Sequence, residues 1–249
     1  MKRLLTILIT LCWIGPALAD GLTDMNDEER YVFQQEIRAY LLEHPEVLME
    51  AIAVLEERQN QDQASTDAAL IAANSKAIFN DNYSWVGGNP KGDVTLVEFL
   101  DYRCTYCRRA HDEIAELVKS DGNIRLVVKE FPILGEQSML SSRLAIATLH
   151  KAGPEIYQKL GDFLMTFNGS LTQNNMAELL KKLGADPEVI LPYMDSDAVT
   201  GQIGVVHELA RKLEISGTPT FVIGQGMIRG YAPLANMREI VAYTRDKLN

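Results

Sequence analysis

The chain has 249 residues, 47% of them apolar, and a formal net charge of −10. That size and apolar content suffice for one domain with added elements and a buried core. The acidic balance argues against nucleic acid or anionic lipid as a partner, since both need clustered cations.

The first residues read as a leader. Lys2 and Arg3 precede the apolar run "LLTILITLCWIG", and "PALA" stands ahead of Asp20. A basic start, a short apolar stretch and small residues at Ala17 and Ala19 describe a signal peptide over residues 1–19, cleaved after Ala19. An uncleaved anchor is the alternative, but the run is short of the ~20 residues that span a bilayer. Cys12 lacks the small-residue pattern that lipoprotein processing needs. Losing Lys2 and Arg3 takes the net charge to −12. The mature chain is expected to be soluble and exported, in the periplasm.

Residues 26–57 show helical periodicity, with Val32, Phe33, Ile37, Tyr40 and Leu41 at three- and four-residue spacing. Pro45 divides the run into two helices, the second presenting Leu48, Ile52 and Leu55 on one side. "RQNQDQASTDAAL" is polar and reads as a linker or exposed helix, with a short helix "LIAANSKAIF" after it. The "NPKGD" turn at 89–93 leads into "VTLVEFL" (94–100), a strand without clean alternation, as one buried on both faces would show. "RRAHDEIAELVKS" is helical and "NIRLVVKEFPI" (123–133) is a second strand. From about 138 to 213 the pattern is helical with short interruptions. "GTPTFVIGQGMIRGY" is a hairpin turning near Gly224–Gly226, and "PLANMREIVAYTRDKL" closes the chain as a helix. The expected class is α/β, a central sheet flanked by helices and split by a helical insertion.

After the leader, Cys104 and Cys107 in "EFLDYRCTYCRRAH" are the only cysteines. A disulfide closing two intervening residues constrains the unfolded chain little, so a structural staple is a weak reading. Cys104 falls where a strand ends and a helix begins, and unpaired N–H groups and the helix dipole there favour a thiolate. Attack by Cys104 on a substrate disulfide gives a mixed disulfide that Cys107, one turn into the helix, resolves. Thr105 and Tyr106 between them tune the direction of electron flow, and Arg103, Arg108 and Arg109 add positive charge. A zinc or copper site would want four ligands, and Cys104, Cys107 and His111 supply three at most. A c-type haem needs His directly after the second cysteine, where Arg108 stands. The dithiol reading is the stronger, with no organic cofactor.

Pro219 in "SGTPT" stands just ahead of a strand, either as a tolerated edge residue or as a cis proline exposing a backbone edge to a substrate peptide. Glu98 sits inside an apolar strand, where a raised pKa would suit a proton acceptor for the thiol. Lys129 is its natural partner; a solvated edge carrying both residues is the alternative.

Those residues resemble the DsbA-like branch of the thioredoxin superfamily. The likeness lies in "VEFLDYRCTYC", in "GTPTFVIG" and in the helical block between them, over about residues 85–249. It implies a thioredoxin fold with a helical insertion at about 138–200. It implies a catalytic Cys104, a resolving Cys107, a cis Pro219 preceded by Thr218, and a buried acid at Glu98. The strong oxidases of that branch have Pro-His between the cysteines and Val before the cis proline. Tyr106 and Thr218 resemble disulfide isomerases instead.

"IRAYLLEHPEVLMEAI" is similar to the N-terminal extension of the suppressor-of-copper-sensitivity (ScsC-like) members, where such helices can mediate oligomerisation. The implied organisation is a helical oligomerisation segment at 20–60, a linker or helix at 61–84 and the catalytic domain at 85–249. The expected protein is a thiol–disulfide isomerase or reductase, a homo-oligomer (trimer or dimer) through residues 20–80. Its partners would be misfolded or misoxidised secreted proteins and a membrane thiol reductase as electron donor. A monomeric disulfide-donating oxidase and a copper- or zinc-binding periplasmic protein are the rival readings. So is packing of the N-terminal helices back onto their own catalytic domain.

Overall fold

The structure is a computed structural model and describes residues 25–248. The expected leader and its cleavage site lie outside those residues. The chain divides into two compact units, Met1–Gln59 and Asn60–Asn249.

In the first unit, α1 (Asp27–Glu43) begins with a capping box. Asn26 accepts from the N–H groups of Glu28 and Glu29, and Glu29 accepts from the N–H of Asn26. The helix ends at His44, ahead of Pro45, as a residue before proline should. No side chain of α1 is buried. Tyr31, Phe33, Ile37 and Tyr40 all stand exposed, as do Leu48, Ile52 and Leu55 on the helix that follows.

That helix, α2, runs from Glu46–Phe79. The segment read from sequence as a linker or exposed helix, with a separate short helix after it, is a continuous part of this one helix. No glycine or proline interrupts residues 46–79, and Ala, Gln and Glu dominate the polar stretch, so nothing breaks the helix once it is nucleated.

In the second unit, five strands form a sheet in the order β1-β3-β2-β4-β5. They are β1 (Trp85–Gly88), β2 (Val94–Leu100), β3 (Ile124–Glu130), β4 (Thr220–Ile223) and β5 (Gly226–Arg229). β2 and β3 run parallel, joined by α3 (Thr105–Asp121); the other pairings are antiparallel. The two-glycine strand β1 was not foreseen from sequence. Four residues, "WVGG", carry too little alternation to read as a strand, and pairing with β3 defines it.

One sheet face packs Val94, Leu96 and Ile124 against Ala110, Ile114 and Leu117 of α3 and against Met237 and Val241 of α9 (Leu234–Leu248). The opposite face packs Val97, Phe99 and Val127 against Val206 and Leu209 of α8 (Asp197–Lys212). Ile71 and Ile78, from the later part of α2, join that second layer. Between β3 and α8 lie α4 (Glu136–Ala152), α5 (Pro154–Thr166), α6 (Gln173–Lys182) and α7 (Pro187–Tyr193), which bury their own core around Leu144, Leu160 and Leu180. The β4–β5 turn needs glycine at Gly224, with φ at 58° and Thr244 2.9 Å from where a Cβ would stand.

Candidate active site

β2 ends at Leu100, and the next residues turn the chain into α3. Asp101 makes that turn. It is fully buried, and its carboxylate accepts from the N–H groups of Arg103, Ile133 and Leu134 at 2.8, 2.8 and 3.0 Å. It thereby ties the loop after β2 to the loop after β3. Cys104 donates its N–H to the Asp101 carbonyl and takes the N-cap position of α3. Its sulfur is thus placed at the positive end of the helix dipole. Cys107 lies in the first turn with no exposed surface, and both cysteines are free thiols. Burial pushes the Cys107 thiol well above its ordinary range, and charge on Glu98 pushes the same way.

The loop before β4 supplies the facing wall. The Thr218–Pro219 bond is cis, and Cys104 Sγ donates to the Thr218 carbonyl at 3.0 Å. Thr218 is half-buried and Pro219 buried. The two cysteines, Thr218 and Pro219, separated by more than a hundred residues, are therefore brought together.

Arg103 and Arg108 do more than add charge. Arg103 reaches the Gly169 carbonyl and Gln137, and Arg108 reaches Asn168 and the Phe167 carbonyl while its Nε donates to the Tyr102 carbonyl at 2.7 Å. They fasten the α5–α6 loop beside the dithiol. Thr105 is exposed, and Tyr106, 57% exposed, stacks on Tyr231 with ring centroids 6.4 Å apart. Tyr231 is held in turn by Glu113, which accepts its hydroxyl at 2.7 Å, and by Arg109, 4.3 Å over its ring. Neither Tyr231 nor Asp101 was singled out from sequence. An Asp between a strand and a helix start was the available signal for the second; nothing local marked the first.

Glu98 is buried, near enough for its charge to act on Cys107, and its Oε1 has no hydrogen-bond partner among the described residues. Burial, then the charge of Glu130, pushes its carboxyl up to about 8. The expected pairing with Lys129 does not occur. In the β2–β3 register Glu98 lies opposite Val128, and Lys129 lies opposite Phe99, so the two side chains leave the sheet on opposite faces. Lys129 instead donates to Asp81 and to the Ala77 carbonyl, below Tyr83. Both Glu98 and Lys129 are buried, so the solvated-edge alternative falls too.

The trio Cys104, Cys107 and His111 is not drawn into a metal-holding group; no cluster of three such side chains occurs among the described residues. His111 Nε2 lies 3.1 Å from Asp162, on α5. The buried Glu98 and the pair His111–Asp162 line one apolar cavity of about 770 Å³ between the sheet, α3 and α5.

This dithiol, at the start of a helix that follows a central strand and faces a cis-proline loop, defines a thioredoxin-like redox site. The thioredoxin family model matches residues 80–242, and the model for the copper resistance protein ScsC N-terminal domain matches residues 29–61. The chain belongs to the thioredoxin family and is of the DsbA-like, ScsC type among its oxidoreductases. A thioredoxin-like oxidoreductase from Silicibacter pomeroyi is 37% identical, with a TM-score of 0.63 over 69% of this chain and 97% of that one. Proteus mirabilis ScsC in a transitional conformation is 26% identical, with a TM-score of 0.65 over 90% of this chain and 98% of that one. Disulfide bond formation protein D of Bacillus subtilis is 23% identical over 164 residues, 62% of this chain and 73% of that protein. Two antiporters of Salinispora also match at 25% identity, the chain spanning 21% of their length.

Proposed function

We propose that the mature chain is a periplasmic disulfide isomerase or reductase that works as a homo-oligomer on misoxidised secreted proteins. The observation that carries the reading is the Cys104–Cys107 dithiol with Cys104 Sγ 3.0 Å from the Thr218 carbonyl. A substrate disulfide approaching along the loop before β4 meets Cys104 first, because Cys107 is shut beneath it. Cys104 sulfur attacks one substrate sulfur, a mixed disulfide forms, and the other substrate sulfur leaves as a thiolate. That thiolate can attack a different disulfide of the same substrate. The thiolate this releases attacks the substrate sulfur of the mixed disulfide, a new substrate disulfide forms, and Cys104 leaves as thiolate, which completes isomerisation. Otherwise Cys107 attacks Cys104, the substrate leaves reduced by two electrons, and the protein is left with a Cys104–Cys107 disulfide. Returning that disulfide to the dithiol requires an outside electron donor, and a membrane thiol reductase is the partner proposed.

Two further features favour isomerase over oxidase. Tyr106 and Thr218 depart from the oxidase pattern, and the first unit exposes a row of apolar side chains suited to self-association. Assembly would place several dithiols around one substrate and raise their effective concentration. No helix among the described residues is long and apolar enough to cross a membrane.

The test is reactivation of a scrambled, multiply disulfide-bonded protein. The wild type is expected to restore activity, Cys104→Ser to abolish it, and Cys107→Ser to accumulate mixed disulfides visible on non-reducing gels. Replacing Ile37 and Ile52 with Asp should give a monomer by sedimentation that still reduces small disulfides but no longer reshuffles. A wild-type monomer that only oxidises, with a potential near −120 mV where isomerases lie at about −180 mV, would make the chain an oxidase.

A further inference from the structure

A second buried carboxylate stands beside the site and takes no part in the exchange scheme above. Glu130, the last residue of β3, is 3% exposed and accepts three hydroxyl hydrogen bonds. Tyr102 donates to its Oε1 at 2.8 Å, Tyr157 to the same oxygen at 2.5 Å, and Ser142 to Oε2 at 2.8 Å. The donors come from the loop that ends at Cys104, from α5 and from α4. Three converging hydroxyls suit an ionised carboxylate, which only accepts; a protonated one would have to donate, and a hydroxyl would have to turn away.

Glu98 has the opposite surroundings. Its Oε1 is without a donor among the described residues and it lines a mainly apolar cavity with Leu100, Ile114 and Val128, so its neutral form is favoured. Glu98 pairs with Val128 in the ladder and Glu130 lies two residues on, so the two carboxyl groups project from the same sheet face. Charge on one then opposes charge on the other. Burial pushes Glu130 up to about 7 against the pull of its three hydroxyls, while burial and Glu130 together push Glu98 up to about 8. With three hydroxyl donors on Glu130 and none on Glu98 Oε1 among the described residues, the charge is better held on Glu130.

The other titratable groups facing this pair are few. Cys107, His111 and Lys119 come from α3, and Tyr157 and Asp162 from α5. The strand-to-helix loop adds Asp101 and Tyr102; β1 and β4 carry no titratable residue, and the contribution of α4 is Ser142.

We propose that Glu130, fixed by Tyr102, Tyr157 and Ser142, is a positioning residue whose charge acts on Glu98 and sets the pH at which Glu98 takes the Cys107 proton. The proposal rests on the reading of Cys107 as resolving thiol and Glu98 as its base. In that step the Cys107 S–H proton passes to the Glu98 carboxylate. The Cys107 sulfur bonds to Cys104, the bond between Cys104 and the substrate breaks, and the substrate sulfur leaves as thiolate. An ordinary carboxylate is a poor base for a thiol, because their pKa values differ by about 4 units. A neighbouring negative charge makes Glu98 a stronger base than an ordinary carboxylate, which the raised Cys107 thiol demands, and this network supplies that charge.

The experiment is the rate of mixed-disulfide resolution as a function of pH, by single-turnover quench with the full-length chain. Wild type should show one limb attributable to Glu98, and Glu98→Gln should remove it. Glu130→Gln should move the limb to lower pH by about one unit or more, a tenfold change in proton concentration. Tyr157→Phe, which leaves the Glu130 carboxyl in place but deprives it of a donor, should move the limb the same way by less. The double variant Glu98→Gln/Glu130→Gln should match Glu98→Gln. If Glu98→Gln leaves the profile unchanged, the underlying assignment of the base fails. If Glu98→Gln removes the limb while Glu130→Gln and Tyr157→Phe slow the rate equally at every pH, Glu130 is a structural brace and the proposal is overturned. Should Glu130→Gln fail to fold, Tyr157→Phe decides alone, an unmoved limb refuting it.

Discussion

Glu98 and Lys129 would meet if β3 were shifted by one residue against β2. With a side-chain period of two, that one-residue offset decides which face each side chain takes, and the parallel register is set by packing across the whole sheet rather than by either residue. The consequence is measurable for each. Glu98 holds its proton up to about 8, against an ordinary value of 4.5. Below 4.5 folded and unfolded chains are both protonated there; above it the unfolded chain releases the proton and the folded one keeps it. Stability conferred by the neutral carboxyl is therefore lost as pH rises from about 4.5 to 8, at up to about 1.4 kcal/mol per unit. Glu98→Gln should reduce that fall, visible in urea midpoints at pH 5 and pH 8, leaving the shorter fall of Glu130, which ends near pH 7. Lys129 and Asp81 form a buried pair. Lys129→Met alone leaves Asp81 charged without its partner and should cost about 3–5 kcal/mol in urea unfolding, whereas Lys129→Met with Asp81→Leu should recover most of it.

At the scale of elements, the parts that carry their own periodicity were legible in the sequence. β2, β3, α3, the β4–β5 hairpin and the break at Pro45 all announce themselves by local pattern. β1 does not, because its partner strand defines it, and the polar middle of α2 left linker and exposed helix both open, because only the absence of any breaker marks its continuity. The two thiols and the proline loop were legible as motifs. The aromatic support of Tyr106 was not, since Tyr231 reaches it from 125 positions later in the chain. That support predicts a selective defect. Aromatic pairs contribute about 0.5–1.5 kcal/mol, so Tyr231→Ala should slow exchange with protein disulfides by about 2- to 10-fold. It should leave small disulfides, which need no surface beside Cys104, nearly unaffected; equal slowing of both classes would remove Tyr231 from the substrate surface.

At the scale of the whole molecule, α2 does not respect the boundary that sequence composition suggests. A boundary at residue 85 separates a polar segment from the strands, yet Ile71 is 3% exposed and Ile78 fully buried in the second unit. Asp67 also grips Arg229 of β5 through two hydrogen bonds of 2.7 and 2.8 Å. A chain starting at residue 60 keeps all of these and should unfold cooperatively with a midpoint near that of the full-length protein. A chain starting at residue 81 loses two core isoleucines, each worth about 2–5 kcal/mol when cut back to alanine, and should show no cooperative thermal transition. Circular dichroism melts of the two distinguish them; equal midpoints would put the later part of α2 outside the core.

Trp85 gives the molecule a built-in optical probe. It is the one tryptophan among the described residues, its indole N–H donates to the Pro154 carbonyl at 3.1 Å, and its ring stacks on Tyr157 at 5.5 Å. The chromophore thus straddles the seam between sheet and insertion, in contact with a phenol that also holds Glu130. Any parting of that seam exposes the indole to water and shifts its fluorescence to the red, so breathing of the insertion can be followed on the native chain without a label.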